Sequence, residues 1–187
     1  MIAEHLPPLQ VVIPLLAAPL MVLVRRGTFA WLLATAVSWA ALAIALALAF
    51  KVREAGPISY AIGNWPPPWG IEYRVDALNS YVLVLVSLVA SIVAPYARAS
   101  VAAELPRDQH YLFFTMFSLC LAGLLGITIT GDAFNLFVFL EISSLSTYVL
   151  IALGRNRRAL LAAYQYLVLG TIGASSARRL RPSAIST

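Results

Sequence analysis

Long apolar stretches alternate with short polar or basic ones along the whole chain. Five stretches are long enough to cross a bilayer, and they cover residues 6–24, 28–50, 77–97, 111–129 and 133–153. A transmembrane helix needs about 20 such residues. A sixth stretch, residues 159–174, reaches only ~24 Å as a helix, less than a hydrocarbon core ~30 Å thick. The pattern predicts an all-α integral membrane protein with five transmembrane helices and a truncated sixth.

One segment between the second and third spans departs from the helical pattern. Residues 56–76 contain two short β-prone runs that flank the rigid turn Trp65–Pro66–Pro67–Pro68–Trp69. Such runs, bounded by Pro and Gly, are typical of strands joined by a turn. We expect a short outer β-hairpin at the membrane surface, and the simplest role for its aromatic residues is anchoring in the interface.

Composition supports a membrane protein and argues against a nucleic-acid partner. The chain is 61% hydrophobic and only 11% charged, which is more apolar surface than a soluble domain of this length can bury. Its net charge of +5 comes from short basic clusters between apolar runs, not from a basic stripe with interleaved aromatic residues. Cys120 lies alone in an apolar helix, so packing is its expected role. The sequence predicts no metal site and no bound cofactor.

The arginines predict the orientation. The connections after spans one, three and five carry seven arginines, and those after spans two and four carry three basic residues, which Glu54, Glu72 and Asp76 offset. Basic loops stay in the cytoplasm. We therefore expect a multi-pass protein of the cell inner (plasma) membrane with its N-terminus outside. The seven arginines expected in the cytoplasm are Arg25, Arg26, Arg98, Arg107, Arg155, Arg157 and Arg158. The three basic residues expected outside are Lys51, Arg53 and Arg74.

Glu141 is the residue of most interest, because it lies in the middle of the fifth apolar stretch. It follows Asp132 by nine residues, or ~13 Å along a helix. Placing an ionised carboxylate in hydrocarbon costs several kcal/mol, and such residues commonly mark proton or ion pathways. Glu141 is therefore the candidate proton relay. The alternative is a structural hydrogen bond to a neighbouring helix.

Four further residues are candidates for the same site. Ser144 and Tyr148 follow Glu141 on one helical face and are candidate relay neighbours, or else polar packing between helices. Asp132 is suited to cap the fifth helix, with a role in ion uptake at the helix mouth as the alternative. His110, at the inner edge of the fourth span, could shuttle protons near neutral pH, or be only an interfacial side chain.

Three motifs resemble a known family. Residues Asn64–Asp76, Thr130–Glu141 and Tyr164–Ala174 resemble the D subunit of Mrp-type multisubunit cation/proton antiporters, and the local pattern favours this type. That family is similar to the antiporter-like, proton-pumping membrane subunits of respiratory complex I. The resemblance runs from residue 6 to about residue 174.

The resemblance implies a fold and a pair of residues. It implies the N-terminal part of a bundle of about fourteen helices built as two inverted repeats, each with a broken helix. The family pairs an acid in helix five with a lysine in helix seven, and Glu141 matches the acid. The lysine has no counterpart, because Lys51 is the chain's only lysine and lies outside the spans. A lysine that approaches or leaves a carboxyl changes its proton affinity, as a relay requires.

Three functions remain open on this basis. The first is a membrane subunit of a multisubunit Na⁺/H⁺ antiporter, a transporter and not an enzyme, whose partners are other membrane subunits, protons, monovalent cations and the lipid bilayer. The second is a proton-pumping membrane subunit of an NADH-quinone oxidoreductase or hydrogenase-type complex, with the redox cofactors in other subunits. The third is a truncated fragment that does not transport. Residues 175–187 are basic and unlike the family, which a frameshift, a premature stop or a split gene would explain.

Overall fold

Six helices and one small sheet form the computed structural model, which describes residues 5–62, 71–154 and 157–179. The helices are α1 (Leu6–Val24), α2 (Gly27–Ala55), α3 (Ala77–Glu104), α4 (His110–Ile129), α5 (Ala133–Ala152) and α6 (Arg157–Arg179). Strands β1 (Ile58–Ala61) and β2 (Glu72–Val75) lie between α2 and α3, and a 3₁₀ turn (Arg107–Gln109) precedes α4. Five of the helices described, α1 to α5, are long and apolar enough to cross a membrane. The predicted fold class is confirmed.

Helices α2 and α3 extend further than their apolar stretches. The predicted spans end at residues 50 and 97, whereas α2 continues to Ala55 and α3 to Glu104. Hydropathy marks only the part of a helix inside hydrocarbon, and intrahelical hydrogen bonds continue equally well in the headgroup layer. Lys51 is therefore part of α2. Arg98 is part of α3, where its guanidinium lies 4.4 Å from the centre of the Trp31 ring.

Helix α6 also passes its expected end. The predicted span stops at residue 174, but the helical backbone runs from Arg157 to Arg179. The residues after 174 include no helix breaker before Pro182, so nothing local ends the helix sooner. Residues 180–187 of the predicted tail lie outside the described residues, and so does the Trp65–Trp69 turn of the predicted hairpin.

Small residues and one buried amide hold α1, α2 and α3 together. Helix α2 buries Ala34, Ser38, Ala41 and Ala45 at intervals of three and four, which allows close helix approach in a membrane. The fully buried Gln10 of α1 donates through Nε2 to the Ala41 carbonyl oxygen (3.1 Å) and to Ser87 Oγ (3.3 Å). One side chain thus bonds to both neighbouring helices.

The predicted hairpin is present and touches several helices. Strands β1 and β2 pair antiparallel, with Tyr60 opposite Tyr73. The Tyr60 hydroxyl bonds to His5 Nδ1, just before α1, at 2.8 Å, and the Asp76 carboxylate accepts the Asn79 N–H at the start of α3. Tyr73 is 6% exposed, and this burial raises the pKa of its phenol. The hairpin is part of the packed structure at this end of the bundle.

Two glycines allow α4 and α5 to pack closely. A Cβ on Gly126 would lie 2.5 Å from carbon atoms of the Phe139 ring, and one on Gly123 would lie 2.8 Å from the Ser143 backbone nitrogen. The aromatic ring of Phe139 therefore occupies the space that a side chain at position 126 would need. This contact determines which face of α5 turns inward.

We predict that Gly126→Val destabilises the protein by about 1–3 kcal/mol, the usual cost of overpacking a filled contact. The measurement is the thermal unfolding midpoint in detergent. Ala99→Val is the control, since Ala99 is exposed on α3 and its midpoint should stay at the wild-type value. An unchanged midpoint in Gly126→Val would contradict the close packing of α4 and α5.

Candidate functional site

Helix α5 has one buried face and one exposed face. Its buried residues are Asn135, Phe139, Ser143 and Ser146, whose spacing of three and four places them on one side of the helix. That side packs on α4, where Gly123 and Gly126 receive Ser143 and Phe139. The polar groups of α5 at Ser143 and Ser146 are satisfied within the helix, by bonds to the Leu140 and Ile142 carbonyl oxygens.

Glu141 lies on the exposed face. It is two residues from both Phe139 and Ser143 and therefore ~160° around the helix from each. The side chain is exposed, and within the part of the chain that is described its carboxylate has no hydrogen bond or ion pair. Its neighbours on this face include Val138 and Leu145, which are 37% and 53% exposed. A lone carboxylate therefore lies in the middle of an otherwise apolar, uncovered surface.

The two candidate relay neighbours are not bonded to Glu141. Ser144 is half-buried. Tyr148 turns towards α6, where its ring packs edge-to-face on Tyr166 with 5.3 Å between centroids. Its hydroxyl lies against Gly170, which has no space for a Cβ. Tyr148 thus joins α5 to α6 in this structure.

Asp132 caps the N-terminus of α5. Its Oδ1 accepts the Phe134 N–H at 3.3 Å and its Oδ2 accepts the Asn135 N–H at 3.2 Å. Both donors belong to the first turn, whose N–H groups have no partner inside the helix. The negative charge also lies at the favourable end of the helix dipole. These bonds support the capping role and leave a second role in ion uptake open.

His110 lies at the opposite end of the bundle from Asp132. It is the first residue of α4, and its Cβ is so close to Gly27 that a side chain there would clash. His110 Nε2 is 3.0 Å from the Leu105 carbonyl oxygen. A carbonyl can only accept, so Nε2 carries a proton and holds the α3–α4 connection. The candidate residues are therefore spread along the length of α4 and α5 and not gathered into one cluster.

Two buried amides were missed by the sequence analysis. Gln10 Oε1 and Asn135 Nδ2 are buried without a hydrogen-bond partner among the described residues. Each is the only Asn or Gln side chain in its apolar stretch, and this feature of the sequence could have identified it. Across the described ranges, no three His, Cys, Asp or Glu side chains come together as a metal site would require. Cys120 is half-buried, with its sulfur 3.5 Å from Thr147 Oγ1 of α5.

Sequence comparisons connect the chain to two kinds of membrane complex. It is 44% identical over 174 residues to a protein named as the N subunit of NADH-quinone oxidoreductase from Desulforudis audaxviator, a match that covers 91% of the chain. It is 33% identical over 128 residues, 68% of the chain, to the D subunit of a Na⁺/H⁺ antiporter from Alkalihalophilus pseudofirmus. The matches cover 34% and 25% of those relatives. No protein-family profile matches the chain.

Solved structures of a respiratory membrane complex and of an Mrp complex also contain chains similar to this one. A chain of an archaeal membrane-bound sulfane sulfur reductase superposes with a TM-score of 0.80 at 28% identity, over 91% of this chain and 35% of that one. A chain of the Mrp complex from Dietzia superposes with a TM-score of 0.77 at 26% identity, over 92% and 33%. The 187 residues thus span about a third of the length of the proteins they match.

We predict that Asp132→Ala lowers the stability of the protein by roughly 0.5–2 kcal/mol, the usual cost of removing such a cap. Asp132→Asn is the matched control, because its amide oxygen still accepts an N–H although the charge is lost. The thermal unfolding midpoint in detergent measures the stability of both variants. Equal midpoints for Asp132→Ala and wild type would show that the cap contributes nothing.

Proposed function

This chain is a homologue of the antiporter-like membrane subunits of Mrp and complex I-type assemblies and corresponds to about a third of such a subunit; we propose that it carries one proton-translocating acid of such a subunit, Glu141. The observation that supports this most directly is the position of Glu141. It lies about half-way along α5, on the face that α4 does not cover.

Energetics argue that protein, and not lipid, covers this face in the working assembly. An acidic side chain at the centre of a bilayer costs about 2.5–3.5 kcal/mol on insertion scales, and acids in spans face a bundle interior or an aqueous cavity. Phe134, Val138 and Leu145 extend the exposed face on both sides of Glu141. Further helices of the same subunit would cover it. The lysine that the family resemblance pairs with this acid would come from such a helix.

The proposed relay works by changing the surroundings of one carboxyl. An adjacent cation favours the charged form and desolvation favours the neutral form. Movement of the cation towards Glu141 would release its proton, and movement away would allow proton uptake. Ser144 lies one turn further along α5 and would extend a water chain. Asp132 and His110, at the two ends of α4 and α5, are the candidates for proton uptake and release.

Two energy sources for this relay are supported by different comparisons. Exchange of protons for a monovalent cation, with Na⁺ as our first choice, follows from the resemblance to antiporter subunits. The higher identity of 44% to a protein named for a quinone oxidoreductase favours redox-driven pumping. Everted membrane vesicles distinguish them. In vesicles energised by a respiratory donor, addition of Na⁺ should dissipate the pH gradient in the first case and leave it unchanged in the second.

The arginines support an orientation for the chain. Arg25, Arg26 and Arg107 lie in the connections at the end of the bundle opposite the hairpin, and Arg98 lies in the last turns of α3 at that same end. We propose that this arginine-rich end faces the cytoplasm of a cell whose plasma (inner) membrane holds the protein, following the positive-inside rule. The N-terminus and the hairpin then lie outside.

We predict that Glu141→Gln abolishes proton translocation by the assembled complex while leaving assembly intact, because an amide cannot take up and release a proton. Transport is measured in everted vesicles and assembly by co-purification of the other subunits. Glu104→Gln is the matched control, since Glu104 is an exposed acid at the end of α3. Full transport by an assembled Glu141→Gln complex would overturn the relay.

The orientation yields a separate prediction. In a Cys120→Ser background, a cysteine at Ser59 in β1 should react with an impermeant thiol reagent in whole cells. A cysteine at Asp108, in the 3₁₀ turn at the other end, should react only after the membrane is opened. Both native side chains are exposed. The reverse labelling pattern would contradict the proposed orientation.

A further inference from the structure

Strand β2 bonds to the α4–α5 turn as well as to β1. The Gly131 N–H donates to the Glu72 carbonyl oxygen at 2.8 Å. Next to it, Thr130 and Tyr73 form an isolated antiparallel bridge. Tyr73 already pairs with Tyr60 on its other side, so the turn adds a short third segment at the free edge of the hairpin. A surface element is thereby fastened to the connection that leads into α5.

The contact is close enough to fix the distance between these segments. A Cβ at Gly131 would lie 3.3 Å from the Glu72 carbonyl oxygen and 3.7 Å from Arg74 Cβ. The hairpin has little freedom to retreat, because Tyr73 is 6% exposed and Val75 is fully buried. A displacement of β2 would therefore also displace the α4–α5 turn at Gly131.

Among the five apolar helices described, α5 is the least buried. Only 17% of the residues in its apolar stretch are buried, compared with 50% for the helical segment that contains α4. The turn is also short, since Gly131 is followed by the capping Asp132 and α5 begins at Ala133. A displacement at Gly131 would pass into the helix without a flexible linker to absorb it.

We propose that the hairpin positions the relay helix: Tyr73 and Gly131 are positioning residues that set the depth and rotation of α5, and thereby the depth of Glu141. The functional meaning of this inference rests on the proposed role of Glu141. The mechanical claim stands on the backbone bonds between β2 and the α4–α5 turn.

A nitroxide on α5 tests the mechanical claim. Leu145 is suitable, because it is 53% exposed and lies one turn beyond Glu141 on the same face. The label is attached to Leu145→Cys in a Cys120→Ser background, and the protein is placed in lipid nanodiscs. The ratio of collisions with oxygen to collisions with a water-soluble nickel chelate reports the depth of the label.

Gly131→Val should shift the label by at least the rise of one helical residue, ~1.5 Å. Gly131→Ala, which adds a single methyl group, should shift it less. Ala133→Val is the matched control, since this residue is exposed two positions along the chain and the depth should remain at the wild-type value. A folded Gly131→Val protein with unchanged depth would overturn the proposal. A change in stability alone would leave the depth of the folded fraction unaltered.

Hydrogen exchange on the unmodified protein covers the case in which Gly131→Val does not fold. The Gly131 amide should be protected as a sheet amide is, and exchange at the rate of an open loop would overturn the proposal. Neither measurement requires Glu141 to carry protons. A negative transport result for Glu141 and a negative depth result for Gly131 can therefore be told apart.

Discussion

Hydrocarbon offers no hydrogen-bonding partner, and this one constraint explains most of the chain's architecture. Its spans are helices because helices satisfy their own backbone groups. Buried side-chain polar groups follow the same rule: Ser38 and Ser146 bond back to their own helices, and Gln10 crosses to α2 and α3. The two strands lie in the connection between spans. Glu141 departs from the rule, because it lies half-way along an apolar helix and the described residues give it no partner. A polar group so placed calls for protein or water other than the residues that the structure describes.

The sequence was sufficient for the parts of the structure that local chemistry determines. Apolar length predicted five spans, and the β-prone runs around the prolines predicted the hairpin. Helices α2 and α3 continue past the predicted spans, because residues such as Lys51 and Arg98 leave the apolar pattern without leaving the helix. Helix α6 passed its expected end for the related reason that its polar tail contains no early helix breaker.

The arrangement of the site depended on contacts that no local pattern contains. The depth of Glu141 could be counted from the sequence, but its direction is set by Phe139 packing against Gly126 on another helix. The same is true of Tyr148, which shares a helical face with Glu141 in projection and yet packs against Tyr166. The bridge between Tyr73 and Thr130 joins segments separated by two transmembrane helices. Each of these features follows from tertiary packing between segments that are distant in the sequence.

A structure of the assembled complex, determined in lipid with its other subunits present, tests the central claim most directly. The decisive quantity is the distance from the Glu141 carboxylate to the nearest cationic side chain. The account predicts that the exposed face of α5 is covered by further helices, with a lysine or arginine within about 4–6 Å, the range over which an opposite charge shifts a carboxyl's proton affinity. A Glu141 that faces lipid acyl chains in the complete assembly would contradict it.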